Sequence, residues 1–136
     1  MTKKAKEIFL PRNELEIQLL AAKKGQVSPR SFMAFLFGHD VYLLSSIPQT
    51  ETQLDTSKLL YLSDDMDPTR LAVFSDRERA RHWKEFFPAY DKVLKLKFSR
   101  VVEITATGCG IMLNPGQSAG MSIPPEGILD LKRELD

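Results

Sequence analysis

The stretch LAVFSDRERA, residues 71–80, decides how the middle of the chain folds. Its first four residues are apolar, which predicts a strand. Ser75-Asp76-Arg77-Glu78 has the pattern of a capping box, in which the first and last residues satisfy free backbone groups at a helix start. We therefore predict a strand that leads directly into a helix over residues 76–87, which Pro88 ends.

Further helices and strands are predicted on both sides of this stretch. The predicted helices cover 13–25, 28–38, 99–108 and 124 onward, and the predicted strands cover 41–44, 59–62, 94–98 and 110–113. The order α-α-β-β-β-α-β-α-β-α predicts an α+β or mixed α/β fold. We expect a single domain over 13–136, with about five strands in a mainly antiparallel sheet covered by helices, after a flexible segment at 1–12.

Composition excludes several classes of protein. The 136 residues include 43% hydrophobic and 27% charged side chains, which are globular values. A net charge of +1 gives no protein-wide basic field, so no nucleic-acid partner is expected. Apolar runs are too short to span a bilayer, so no membrane partner is expected either. The single cysteine excludes an internal disulfide, and the absence of a signal-like pattern after Met1 predicts a cytoplasmic protein.

No metal or cofactor site is predicted. Asp64, Asp65 and Asp67 could hold a divalent cation, but an EF-hand loop needs glycine where Arg70 stands, so a turn is favoured. The two histidines and the cysteine are too widely spaced for a recognisable zinc pattern.

Cys109 is the one candidate nucleophile. Its neighbours Gly108 and Gly110 would let a substrate approach. However, Gly108 is expected to end the preceding helix, and the negative end of a helix dipole disfavours a thiolate. A structural thiol is therefore favoured over a Cys-dependent enzyme.

Arg77 and Arg81 are candidate binding residues. With Lys84 they fall near one another on the predicted helix and could contact a phosphate or an acidic partner. An ion pair between Arg81 and Glu85 would explain the same pattern without a ligand.

Two further candidates lie in a loop and on a helix. Asn114 and Gly116 belong to a loop at a strand end that leads to a helix start, a position where anions often bind. Phe37 is a candidate for an exposed apolar residue on the helix over 28–38, which would form a dimer or partner surface.

A set of ordered segments resembles the N-terminal domain of the SseB family, named for enhanced serine sensitivity. The matching segments are NELE at 13–16, AAK at 21–23, VYL at 41–43, LAVFSDRERA at 71–80, GIMLNPG at 110–116 and PPEGI at 124–128. The resemblance implies a bacterial, cytosolic α/β domain and brings no agreed catalytic residues with it.

Three functions therefore stay open. The first is a non-catalytic protein-interaction or regulatory module, with an unknown protein partner or with a second copy in a homodimer. The second is a small-ligand domain for an amino acid or phosphorylated metabolite. The third is a Cys-dependent enzyme.

Overall fold

The computed structural model describes residues 9–63 and 68–135 of the chain. The predicted turn with Asp64, Asp65 and Asp67 lies outside the described residues. Phe9 is buried in the main core, so the packed part of the described chain begins before residue 13. Every helix among the described residues is too short or too polar to span a membrane.

The described residues form five α-helices, six strands and one 3-10 turn. The helices are α1 (Glu14–Lys23), α2 (Pro29–Phe37), α3 (Arg77–Trp83), α4 (Phe98–Ile104) and α5 (Pro125–Leu135), and the 3-10 turn is Thr56–Lys58. The strands are β1 (Asp40–Ser45), β2 (Tyr61–Leu62), β3 (Arg70–Val73), β4 (Lys92–Lys97), β5 (Gly110–Leu113) and β6 (Met121–Ile123).

The strands form two small sheets that isolated bridges connect. β1 and β4 pair antiparallel over their full lengths. The second sheet has the order β2-β3-β5-β6, in which β3 and β5 are parallel and the outer pairs are antiparallel. Bridges between Tyr42 and Phe74 and between Ser45 and Leu59 join β1 to the second sheet.

Strand β3 is buried on both faces. Successive side chains of a strand point to opposite sides, and those of β3 therefore enter two different cores. Leu71 and Val73 belong to the main core, together with the buried faces of α1, α2, α4 and α5. Ala72 and Phe74 belong to a second cluster under α3, with Ala80. The stretch 71–80 therefore joins both cores.

The predicted fold class is confirmed, and β6 is the main difference in element order. No strand is predicted between residue 113 and the last helix, whereas in the structure Met121–Ile123 forms a strand that pairs with β5. Three residues between Gly120 and Pro124 are too few for a period-of-two pattern to stand out.

Helix α3 is shorter than predicted. It ends at Trp83, and the N–H groups of Phe86 and Phe87 then bond to carbonyls three residues earlier, at 3.0 and 3.2 Å. The chain thus continues in tight turns up to Pro88, so the apolar period of the sequence is kept while the α-helix is not.

The packing of β6 against β5 predicts a strict requirement for glycine at 110. A Cβ atom there would lie 2.4 Å from the carbonyl oxygen of Ile123. We expect Gly110→Ala to lower the free energy of unfolding by about 2 kcal/mol, since the strands must separate to admit the methyl group. Urea unfolding monitored by Trp83 fluorescence measures this.

Gly38→Ala is the matched control. Nothing lies within 4 Å of a Cβ atom at Gly38, and its φ is −88°. Its effect should stay within about 0.5 kcal/mol. Equal stabilities of the two variants would contradict the close approach of β5 and β6.

Candidate functional site

A buried polar cluster lies where α1 begins, where β3 turns into α3 and where β5 ends. Glu16, Ser75 and Asn114 are all buried there. These residues come from three of the segments that carry the family resemblance, so the fold brings those segments together at one point.

Glu16 is the charged centre of this cluster. Its carboxylate accepts hydrogen bonds from Nε and Nη2 of Arg79, at 2.6 and 2.9 Å, and from the hydroxyl of Ser75. The backbone N–H of Arg12 donates to the same carboxylate at 2.8 Å. Both carboxylate oxygens are thus occupied, and the side chain of Arg79 is only 15% exposed.

Asn114 connects the cluster to the loop after β5. Its Oδ1 accepts from the backbone N–H of Ser75 at 3.0 Å, and its Nδ2 donates to the Ser75 hydroxyl at 2.7 Å and to the Ala119 carbonyl at 3.2 Å. Asn114 has a φ of 52°, a left-handed conformation that asparagine tolerates better than most residues. Its side chain therefore faces inward and holds the loop in place.

The start of α1 is tied to the start of α3. Asn13 caps α1 through its Oδ1, which accepts from the N–H of Glu16 at 2.9 Å, and its Nδ2 donates to the carbonyl of Ser75 at 2.8 Å. Arg12 pairs with Asp76 at 2.8 Å. The two helix starts are consequently fixed relative to each other.

A groove opens above this cluster. One depression of about 550 Å³ is lined by Leu10, Pro11, Arg12 and Arg79. A second of about 260 Å³ is lined by Arg12, Glu78, Arg79, His82 and Gln117. The two arginines belong to both, so the depressions adjoin.

Two exposed apolar side chains flank this groove. Leu10 is 69% exposed, and Phe86 is 64% exposed with its ring 6.1 Å from that of His82. We call the surface formed by Leu10, Arg12, Arg79, His82 and Phe86 the Leu10–Phe86 surface.

An aromatic cluster supports the Phe86 end of this surface. The ring of Trp83 lies 5.8 Å from Phe86, 5.7 Å from Phe87 in a stacked arrangement, and 5.9 Å from the buried Phe74. Gly116 lies beneath Trp83, because a Cβ atom there would be 3.4 Å from the indole ring. The loop after β5 therefore contacts the end of α3.

The structure places the predicted arginines on the surface of α3. The guanidinium of Arg77 lies 5.2 Å from the centre of the Tyr42 ring. Arg81 pairs with Glu78 at 3.9 Å and not with the predicted Glu85. Arg79, which was not singled out, is the arginine that enters the cluster.

Phe37 lies against the core. It is half-buried, and its ring is 6.1 Å from that of Phe98. Because it packs onto the buried ring of Phe98, Phe37 is not among the exposed large hydrophobic residues of the described chain, and its role in a partner surface stays a prediction.

Cys109 is half-buried in the turn between α4 and β5, next to Gly108 with a φ of 85°. Its backbone N–H donates to the Ala106 carbonyl at 3.0 Å. Among the described residues, no three His, Cys, Asp or Glu side chains are grouped in a way that could hold a metal ion.

Tyr61 lies beside this turn. Burial raises the pKa of Tyr61, the Ala106 backbone partly offsets this, and Cys109 adds a smaller increase. The folded protein therefore keeps this phenolic proton at a pH where the unfolded chain loses it.

A pH dependence of stability follows from Tyr61. Stability from the neutral phenol is fully present below about pH 10 and is lost as the pH rises further. In urea unfolding between about pH 9 and 11, wild type should lose stability more steeply than Tyr61→Phe. Equal slopes for the two proteins would contradict this expectation.

The buried ion pair predicts a large cost for Arg79→Met. The variant leaves the Glu16 carboxylate buried without its guanidinium, so the free energy of unfolding should fall by about 3 kcal/mol. Adding Glu16→Gln should recover part of this loss, because a neutral amide needs no counter-charge.

Arg81→Met is the matched control on the same helix. Its ion pair is exposed on both sides, so the effect should be at most about 0.5 kcal/mol. If Arg79→Met and Arg81→Met were equally stable, the buried pair would not hold the cluster together.

Comparison with known proteins identifies the family. Searches of curated proteins and of solved structures gave no match. The family model described as the SseB protein N-terminal domain matches residues 15–130, a span that includes Glu16, Ser75, Arg79 and Asn114. A cytoplasmic location stays a prediction. Since the match covers most of the 136 residues, the chain belongs to the SseB family, and the part of the family that it matches is the N-terminal domain.

Proposed function

We propose that this domain is a non-catalytic protein-interaction module that binds its partner through the Leu10–Phe86 surface. The observation that carries the proposal is the exposure of Leu10 and Phe86 beside a groove lined by arginines. Arginine and large aromatic side chains are enriched at protein interfaces, and here an exposed aromatic ring lies near arginines, whereas single scattered hydrophobic residues are ordinary on protein surfaces.

The arginines of this surface are held in place before any partner binds. Arg79 is bonded to Glu16 and to the carbonyl of Leu10 at 2.8 Å, and its guanidinium lies 3.9 Å from the centre of the Phe9 ring. Arg12 is held by Asp76. Binding then costs little side-chain entropy, which favours association.

The buried polar residues support a structural role for the motif segments. The polar atoms of Glu16 and Asn114 bond to other groups of the protein. These residues therefore shape the surface above them, and we assign no reaction to them.

Phe86→Asp tests this proposal. It places a charge on the surface without removing a buried side chain, so the fold should persist while partner binding falls at least tenfold. Affinity capture from cells that express the protein, with quantitative mass spectrometry, compares the variant with wild type. Sedimentation of the purified proteins tests self-association in parallel.

Leu129→Asp is the matched control. Leu129 is 45% exposed on α5 and lies outside the groove. A captured partner that is lost with Phe86→Asp and retained with Leu129→Asp supports the proposal. A dimer that Phe86→Asp abolishes and Leu129→Asp keeps also supports it. Equal capture and equal sedimentation of all three proteins would reject this surface.

The small-ligand alternative is favoured only by the second depression, which Arg79, His82 and Gln117 line. A thermal-shift series with serine and phosphoserine addresses it, since a ligand that binds the native state raises its stability. A shift that Gln117→Ala abolishes would favour this alternative over the interaction module.

A further inference from the structure

The outer edge of β6 is available for pairing. Strand β6 pairs with β5 on one side, and no strand lies on its other side among the described residues. The hydrogen bonds of β5 determine in which direction the backbone groups of β6 point. The N–H groups of Gly110 and Asn114 donate to the carbonyls of Thr69 and Val73, at 2.9 and 2.7 Å, and so point away from β6.

Ser122 turns its backbone outward. Because N–H groups alternate in direction along a strand, those of Ile111 and Leu113 point towards β6. Their antiparallel partners are Ile123 and Met121. Ser122 lies between these two bonded residues, so its N–H and C=O face away from β5, towards solvent. One donor and one acceptor are thus presented together at the edge.

An apolar groove adjoins this edge. It has a volume of about 340 Å³ and separates β6 from α1 and α2. Ala22, Phe32, Met33 and Met121 form its apolar walls, and Lys23 is the one charged side chain that lines it among the described residues.

A smaller hollow lies on the other side of Ser122. Its volume is about 110 Å³, and its lining includes Arg70, Ser122 and Pro124. Since Ser122 lines both hollows, a strand added at this edge would place alternate side chains into each of them.

Strands β4 and β6, each at the edge of its sheet, differ in charge. Lys92, Lys95 and Lys97 are exposed along β4, and lysines on an edge strand oppose pairing with another chain. Strand β6 carries no charged residue. The protection against edge pairing that β4 has is therefore missing at β6.

The surroundings of the groove are basic. Between residues 17 and 39 the charged side chains are Lys23, Lys24 and Arg30, with no aspartate or glutamate. Residues 104–125, which include β6, carry no charged side chain at all. These basic side chains would attract a bound segment that carries acidic residues at its ends. Neither of the two stretches contributes an acidic side chain that would repel such a segment.

We infer that the edge of β6 and its apolar groove bind an extended segment of another protein, which adds a strand opposite Ser122, places an apolar side chain between β6 and α2, and carries acidic residues towards Lys23. This surface is separate from the Leu10–Phe86 surface, and the inference does not depend on the proposed function.

A phage-displayed library of random dodecapeptides, selected on the full wild-type chain, tests the inference. We expect enriched peptides to combine β-branched or other apolar residues with aspartate or glutamate. The most enriched peptide is then synthesised with a fluorophore, and its dissociation constant is measured by fluorescence anisotropy for wild type and variants.

Two pairs of variants locate the binding site. Ser122→Pro removes the outward N–H, which an edge strand tolerates, and should weaken binding by about tenfold, whereas Ser122→Ala keeps the backbone and should change it less than about threefold. Lys23→Glu should weaken binding more than Lys24→Glu, because Lys24 does not line the groove. The second pair tests the site even if Ser122→Pro unfolds.

The outcomes separate this inference from the proposed function. Failure to enrich any peptide, enrichment of basic peptides, or equal binding by Lys23→Glu and Lys24→Glu would overturn it. A dimer that Ser122→Pro abolishes would show that a second copy occupies the edge, and this would also overturn it. Peptide binding lost with Phe86→Asp but retained with folded Ser122→Pro would assign the peptide to the Leu10–Phe86 surface instead.

Discussion

The buried carboxylate of Glu16 is the constraint on which the rest of the domain depends. A charge removed from water costs several kcal/mol unless counter-charge and hydrogen bonds surround it. Arg79, Ser75 and the backbone of Arg12 supply these groups. Because they belong to α3, to the turn after β3 and to the segment before α1, the buried carboxylate is fully satisfied only when all three parts assemble. The position of α3, and hence of Phe86, follows from this assembly.

Ser75 extends the constraint to the other half of the chain. Its hydroxyl donates to Glu16 and accepts from Nδ2 of Asn114, so one oxygen links α1 with the end of β5. Asn114 in turn holds the loop through the Ala119 carbonyl, and its left-handed backbone turns the chain immediately after β5. The return of the chain as β6 thus depends on the same cluster that sets the start of α3.

Local patterns predicted the class of the fold and most of its elements, because a strand, a cap or an apolar period needs only neighbouring residues. The same local reasoning obscured the cluster. Glu16 falls in the first turn of the predicted helix over 13–25, while its side-chain partners Ser75 and Arg79 lie 59 and 63 residues away. No periodicity encodes such a contact. Phe37 shows a related limit, since helix-face counting could not foresee that it would pack onto Phe98. The contact of Gly116 with Trp83 likewise joins residues that are distant in sequence, and a ligand contact at Gly116 stays a prediction.

The direction in which the polar groups of the buried cluster face supports the proposed binding role of the domain. An enzyme site aims its titratable groups at a cavity where substrate can reach them. Here Glu16, Ser75 and Asn114 face one another inside the protein, whereas Leu10, Phe86 and the backbone of Ser122 face outward. Loop 114–120 connects the two outward surfaces, since Gln117 lines the groove beside Arg79 and Gly120 lines the groove beside Met121. A rigid polar interior that fixes apolar and backbone groups at the surface lowers the entropic cost of binding a protein partner, which is the role we propose.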